Sequence, residues 1–546
     1  MKVLVADRIA QSGLDKLQTE VEVDVITGLT PAELSERISD YEGLIVRSST
    51  QVTAEVIRAG RKLKAIGRAG VGVNNIDVDE ATRKGVVVLN VPDGNTIAAA
   101  EHTMGLMLAL ARNIPQAHWA LRQGRWERKE HMGVELYGKT LGLIGIGRIG
   151  TEVARRARAF GMKILAYDPY ASAQKTEKEG IELVGLEELL RESDVISIHT
   201  PLNRETKGMI GAEAINKMKD GVRLVNCARG GIIDEEALLR ALESGKVAGA
   251  ALDVFATEPA GDNPLFNLDH VVATPHLGAS TFEAQDHNAV TIAEQVLAAL
   301  KGKPVRNAVN LPSFLPDEWK TAEPYLALAE ILGRVYAQAF PGRLKSVEVV
   351  YEGEAATLPT GLITNALLKG LLCDILTEEV NLVNAPVVAR RRAIKVTESV
   401  SHDSHGLSNR VILKAVTENS EREVTGMVRA GDGPCIISVD GYRVDLHPSE
   451  FMLLAHHIDK PGIIGQVGTI LGQEQVNIAA MQVGRRRLGG EAVMLLLVDE
   501  YVQGEILEKI NAVDGILHSC QIRLPKHLVG KNETTLLVDE EPEMSA

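Results

Sequence analysis

Aromatic side chains are scarce in this sequence, at 3% of 546 residues, so its cores must be built from Val, Ile, Leu and Ala. Cysteine is rarer still. Its four copies, Cys227, Cys373, Cys435 and Cys520, lie far apart and never form C-x-x-C. That argues against a disulfide framework or a thiolate zinc site, so no metal is expected and a reducing cytosol fits. No run approaches the roughly 18 unbroken apolar residues that a membrane helix needs. The opening "MKVLVADR" is a short strand pattern interrupted by Asp7, without the length of a signal peptide, and a cytoplasmic location is expected. A positive balance is missing too. The net charge of −14 disfavours nucleic acid or anionic membrane as a general partner. Any anionic substrate must meet locally clustered Arg and Lys.

What is present is ordinary for a soluble globular protein, with 45% apolar and 24% charged residues. The length exceeds what one core can serve and implies three or four domains. Short Val/Ile-rich runs alternate with helical patterns from the start: "KVLVAD", "VEVDVI", "GLIVRS", "LKAIGRAG" and "VVVLNVP". Such alternation implies a parallel sheet covered by helices on both faces. After one long apolar helix, Thr96–Arg112, a second series begins: "LGLIGIG", "KILAYD", "DVISIHT", "RLVNCARG", "VAGAALDV" and "HVVATPH". A helix over about Thr281–Leu300 follows, and "KGKPVRNAVNLPSF" reads as a linker. Beyond Pro316 the pattern predicts a helix at Tyr325–Ala339, a loop between Ala389 and Gly406, and antiparallel strands over Asn409–Pro448. From Phe451 it predicts a βαββαβ module. The acidic end, with Asp539, Glu540, Glu541 and Glu543, has the composition of a disordered tail.

"LGLIGIGRIG" holds Gly145-x-Gly147-x-x-Gly150 between a strand and a helix, and Asp168 ends the next strand. Gly145 permits the tight turn, Gly147 lets backbone approach a pyrophosphate, and Gly150 lets helix and strand pack closely. The helix N-terminus faces the negative charge. Asp168 would accept from the ribose hydroxyls and repel a 2′-phosphate, which points to NAD rather than NADP. Downstream, "NCARGG", "DVFATEP" and "TPHLGAS" fall at strand ends, where open α/β sheets bind ligands. They offer Arg229, Asp253, Glu258 and His276. A guanidinium can grip a carboxylate in a fork, and a histidine can take a hydroxyl proton while a carboxylate orients it. Taken singly, each has a structural explanation: a surface ion pair, a loop histidine, a helix-terminal charge.

The ordered segments "GRAGVGVNNID", "NTIAAAEHTMGLMLALAR", "LGLIGIGRIG", "NCARGGIIDEEAL", "ALDVFATEP" and "ATPHLGAST" resemble the D-isomer-specific 2-hydroxyacid dehydrogenase family over about residues 1–312. Within it the likeness is to the long-form branch that oxidises 3-phosphoglycerate and opens serine synthesis. The resemblance implies an α/β fold of two doubly wound parallel-sheet lobes. A Rossmann NAD domain (97–281) is inserted in a flavodoxin-like substrate domain (1–96 and 282–312). An α+β intervening domain (315–450), an ACT domain (451–526) and an acidic tail (527–546) follow. It makes Arg229 the substrate-orienting arginine, Glu258 the carboxylate partner and His276 the general base. NAD contacts fall to Val71, Gly145, Gly147, Arg148, Ile149, Gly150, Asp168, Thr200, Cys227, Ala228, Arg229, Asp253, His276, Leu277, Gly278 and Ala279. Asn74 departs from the family, where an aspartate is more usual.

A phosphorylated acid needs cations beyond Arg229. The likeness assigns Arg47 and Arg68 to the phosphate, with Arg128 reaching in from a neighbouring subunit; otherwise "RWERK" is a solvated basic turn. Asn95 either binds substrate or caps the following helix. "HHIDKPGIIGQVGTILGQEQVNIAAMQV" resembles the ACT domain, a regulatory module that pairs edge to edge. Asp459 and Asn477 match its ligand positions, with L-serine as the expected effector and a homodimer or homotetramer as the assembly. The module could also serve assembly alone. The competing readings are a glyoxylate/hydroxypyruvate or D-lactate reductase and an NAD-sensing scaffold.

Overall fold

The computed structural model describes residues 1–312, 316–376, 378–401, 409–418, 420–429 and 431–529. The short Val/Ile/Leu/Ala runs form parallel strands, and the inner ones are buried on both faces, as strands under helical crossovers must be. β1 (Lys2–Val5), β2 (Glu22–Val25), β3 (Gly43–Val46), β4 (Ala65–Arg68) and β5 (Val87–Leu89) pair in the order β2-β1-β3-β4-β5. The second sheet holds β6 (Thr140–Ile144), β7 (Lys163–Tyr167), β8 (Glu182–Leu183) and β9 (Val195–Ile198). It is completed by β10 (Val222–Asn226), β11 (Val247–Leu252) and β12 (Val271–Ala273). Its order is β12-β11-β10-β9-β6-β7-β8, all parallel, with the switch point between β6 and β9.

Two helices carry the chain between these sheets. The outgoing helix Thr96–Ala111 follows β5 and packs on β10, β11 and β12. The return helix Phe282–Leu300 starts at Thr281, whose hydroxyl accepts from Ala284 N at 3.1 Å. Its Ile292, Val296, Leu297 and Leu300 join Val3, Val5 and Leu89 in the core of the first sheet. The following stretch is more than a linker. Asn310 accepts from Val88 N at 2.9 Å and donates to Val86 O at 2.9 Å, sewing the segment to the β5 edge.

β13 (Leu344–Glu352), β14 (Lys395–Ser401), β15 (Arg410–Thr417), β16 (Glu421–Arg429), β17 (Gly433–Val439) and β18 (Tyr442–Leu446) form the third sheet. Its order is β14-β13-β15-β16-β17-β18, antiparallel except for β13 with β14. β14 corrects the loop expected between Ala389 and Gly406. It is an edge strand of mostly exposed polar residues, "KVTESVS", and so carries no apolar alternation to read. The helix expected at Tyr325 begins instead at Pro316 and runs through Pro324. A proline that deep ordinarily ends a helical pattern.

β19 (Phe451–Ile458), β20 (Ile478–Arg485), β21 (Glu491–Val498) and β22 (Ile516–Arg523) make the last sheet, antiparallel in the order β20-β21-β19-β22. With helices Ile463–Gln473 and Gly504–Asn511 this is the expected βαββαβ module. Alternate residues of β19 serve two cores. Leu453 and Ala455 face the module's own helices, whereas Met452 and Leu454 join the core of the third sheet. The acidic residues Asp539 to Glu543 lie outside the described residues. Among the described residues, no helix is long and apolar enough to cross a membrane.

Candidate active site

The glycine loop follows β6 at the switch point of the second sheet. Gly145 has φ of 95°, a conformation that favours glycine, and a Cβ there would stand 2.7 Å from the His199 carbonyl. A Cβ on Gly147 would meet nothing within 4 Å, so the loop is open where a pyrophosphate would approach. One on Gly150 would strike the Gly145 carbonyl, which explains the close strand–helix packing. Gly147 caps helix Arg148–Ala159 without a side-chain hydrogen bond, leaving backbone N–H groups for an anion. Asp168, at the end of β7, accepts from Ile146 N at 3.0 Å and from Tyr170 N at 2.9 Å. Thr200 abuts Gly145, and its buried hydroxyl has no partner among the described residues. Exposed Arg148 and half-buried Ile149 open the helix. This open cradle with an orphaned hydroxyl fits a dinucleotide.

Between the first two sheets lies a cleft of about 1260 Å³, lined from one side by Arg47, Arg68, Val71 and Asn95 and from the other by Arg229, Glu258, His276 and Ala279. The volume exceeds that of an ordinary small-ligand pocket and leaves room for a nicotinamide end beside a substrate. Glu258 Oε2 stands 2.7 Å from His276 Nδ1, and its Oε1 accepts from Phe255 N at 3.1 Å. A carboxylate only accepts, so Nδ1 carries the hydrogen of the neutral imidazole, and the Nε2 lone pair is left for an incoming proton. His276 has φ of 56°, and its N–H donates to the Asp253 carbonyl at 2.9 Å.

Asp253 does not itself line the cleft. Its side chain has no exposed surface and accepts from Thr274 Oγ1 at 2.6 Å, Leu277 N at 2.7 Å and Gly278 N at 2.9 Å. Burial alone would raise its pKa, but hydrogen bonds from His102, Thr274, Leu277 and Gly278 hold the carboxyl below the usual aspartate range. Asp253 therefore supports the 276–278 turn from beneath. Cys227 is half-buried, and desolvation pushes its thiol up to about 12, so it stays protonated. Beside it Asn226, unremarked in the sequence, accepts from Ala228 N at 3.0 Å and donates to Arg229 O at 2.9 Å, fixing the turn that presents Arg229.

The cleft's cations lack anionic partners. Arg47 and Arg68 follow from neighbouring strand ends, β3 and β4, and no ion pair of Arg47, Arg68 or Arg229 occurs among the described residues. Burial, then the charges of Arg229 and Arg47, lower the Arg68 guanidinium to about 10. Its Nε is buried without a hydrogen-bond partner among the described residues. Asp7 supplies little relief, because its carboxylate accepts from Arg47 N at 2.6 Å and Thr50 N at 3.2 Å. Asn75, adjacent to the unusual Asn74, donates to Arg47 O and Thr50 O at 2.7 and 2.6 Å. Asn95 makes no side-chain cap, and its buried Oδ1 is unpaired among the described residues.

Three expected positions are not brought together. Arg128 lies on an exposed loop outside the cleft lining. Asp459 follows β19, pairing with Arg485 Nη1 at 3.0 Å, whereas Asn477 precedes β20 and donates to Asp499 Oδ2 at 2.7 Å. Ile458 stands opposite Glu491, while both Phe451 and Ile478 stand opposite Val498. The two residues thus sit at opposite ends of the sheet, about 25 Å apart at a strand's rise per residue.

A dinucleotide loop and an arginine-rich cleft with a carboxylate-oriented histidine define a dehydrogenase of 2-hydroxy acids. Residues 104–278 match the model of the D-isomer specific 2-hydroxyacid dehydrogenase NAD binding domain. Residues 321–440 match the D-3-phosphoglycerate dehydrogenase intervening domain, and 451–515 the ACT domain. The chain is 48% identical to the D-3-phosphoglycerate dehydrogenase of Methanocaldococcus jannaschii, across 96% of this chain and 100% of the relative. It is 47% identical to that of Archaeoglobus fulgidus, with the same coverage. The crystal structure of D-lactate dehydrogenase from Aquifex aeolicus complexed with NAD and lactic acid matches 57% of this chain and 100% of its own, at 30% identity and a TM-score of 0.51. The chain belongs to the D-3-phosphoglycerate dehydrogenases, within the D-isomer-specific 2-hydroxyacid dehydrogenase family.

Proposed function

We propose that this chain oxidises D-3-phosphoglycerate to 3-phosphohydroxypyruvate, the first step of L-serine synthesis, with NAD as hydride acceptor. The observation that carries the substrate is the convergence of Arg47, Arg68 and Arg229, unneutralised, on one cleft with the Glu258–His276 pair. Arg229 holds the carboxylate and the C2 oxygen. His276 Nε2 takes the C2 hydroxyl proton as hydride leaves C2, and Glu258 stabilises the resulting imidazolium. Arg47 and Arg68 take the phosphate, and Asn95 supplies one more hydrogen bond. The glycine loop and Asp168 would hold NAD, which would supply the hydride acceptor when bound. The surfaces of Val71, Thr200, Cys227, Ala228 and Leu277 to Ala279 complete its bed. Closure of the cleft excludes water from the transfer.

The assembly is a homo-oligomer, dimer or tetramer, in the cytoplasm. L-serine binds between paired ACT modules, because Asp459 and Asn477 of one chain stand too far apart to share a small ligand. Arg128 enters a neighbour's cleft from its exposed loop.

The test is NADH formation from 3-phosphoglycerate, glycerate and D-lactate, each with and without L-serine. The phosphorylated acid should exceed glycerate in kcat/KM by about 10-fold or more, the value of one charged hydrogen bond. Equal turnover of glycerate would remove the phosphate assignment, and indifference to serine would reduce the ACT module to assembly.

A further inference from the structure

The outgoing helix reaches the catalytic turn through one side chain that neither the glycine loop nor the substrate chemistry uses. His102 lies on Thr96–Ala111, with Nε2 3.2 Å from Thr274 Oγ1 and 3.2 Å from Asp253 Oδ1. The direction of these contacts is set by which groups carry a hydrogen. The only hydrogen of the Thr274 hydroxyl points to Asp253 Oδ1, at 2.6 Å, and an ionised carboxylate has no hydrogen to give. Nε2 must therefore be the protonated nitrogen, donating between two acceptors. Asp253 in turn holds Leu277 N and Gly278 N through its carboxylate and His276 N through its carbonyl. His276 sits at φ of 56°, a left-handed conformation that a histidine keeps only when neighbours enforce it.

We propose that His102 is a positioning residue for the hydride-transfer step. It holds the Asp253 carboxylate, which holds the 276–278 turn, which aims the His276 imidazole into the cleft. Its helix also starts at Asn95, in the cleft wall, so the same contact joins the crossover between lobes to the catalytic turn. Small displacements are costly here, since a misplacement of about 1 Å can slow a reaction about 100-fold.

The inference rests on the dehydrogenase reading above, and its test uses the full-length chain. H102L keeps bulk and removes the donor, whereas H102Q offers an N–H at a reach similar to that of Nε2. For H102L the expected result is kcat lower by about 10- to 100-fold, with KM for the acid within about threefold of wild type. H102Q should recover kcat to within about threefold of wild type. T274V, which deletes the bridging hydroxyl, should show the same kcat-only loss and serves if H102L does not fold. Unchanged kcat in both H102L and T274V, equal loss in H102L and H102Q, or a loss confined to KM would overturn the proposal. A wild type that oxidises a different 2-hydroxy acid would overturn only the substrate reading, and the same split is then read on that acid.

Discussion

At the scale of single residues, the site is a contest between charges that repel and an anion that joins them. At pH 7 Arg68 is charged in folded and unfolded chains alike. Its folded value of about 10 lies below the ordinary arginine range, so its charge costs stability until pH rises past that value or an anion binds. R68Q should therefore melt no lower than wild type without ligand, while KM for 3-phosphoglycerate rises about 10- to 100-fold. A lower melting temperature in the ligand-free variant would contradict the repulsion argument. H276A should lower kcat by about 10²- to 10⁴-fold, the worth of a general base. NADH affinity, read by fluorescence titration, should stay within about threefold; simultaneous loss of both would mean that the turn has collapsed.

At the scale of elements, strand ends do the placing. β3, β4, β10 and β11 end in or just before Arg47, Arg68, Arg229 and Asp253, because parallel pairing sets their carboxyl ends side by side. β9 ends just before His199, whose Nε2 lies 2.9 Å from Ser197 Oγ and whose value desolvation lowers to about 4. Since the unfolded chain takes up this proton near its ordinary value of 6.5, stability is full above that pH. It falls as pH drops toward 4. Between pH 7 and pH 5 the wild-type melting temperature should decline more than that of H199N, by on the order of a few degrees. Identical declines would mean that His199 plays no part in the acid sensitivity.

At the scale of the whole molecule, the ACT module and the arginine-rich cleft occupy different parts of the chain. Val383 joins the core of the first sheet, and Asn381 donates to Gly85 O at 2.8 Å, so the segment between β13 and β14 is anchored to the first lobe. The separation of Asp459 from Asn477 makes a prediction about subunits. Chains carrying D459A or N477A alone should lose serine inhibition. Mixed assemblies of the two should regain about half of it, because one site of each pair then combines two intact residues. No recovery in verified mixed assemblies would show that the residues do not meet across a pair.

The sequence by itself determined the parallel lobes, the glycine loop and the strand-end polar residues that line the cleft, because each depends on short-range pattern: buried strands, turn-forming glycine, strand-end polar residues. It determined the βαββαβ module for the same reason. Other features were invisible in it. β14 has no apolar alternation, Pro324 hides the first turns of its helix, and Asn226 and His102 look like any polar residue near a strand end or on a helix. Tertiary structure alone decided that Asp253 works from beneath the catalytic turn, that Asn95 keeps its amide oxygen free, and that Asp459 and Asn477 lie apart. These are distances between residues remote along the chain, set by how sheets and crossover helices pack, and local pattern carries no measure of them.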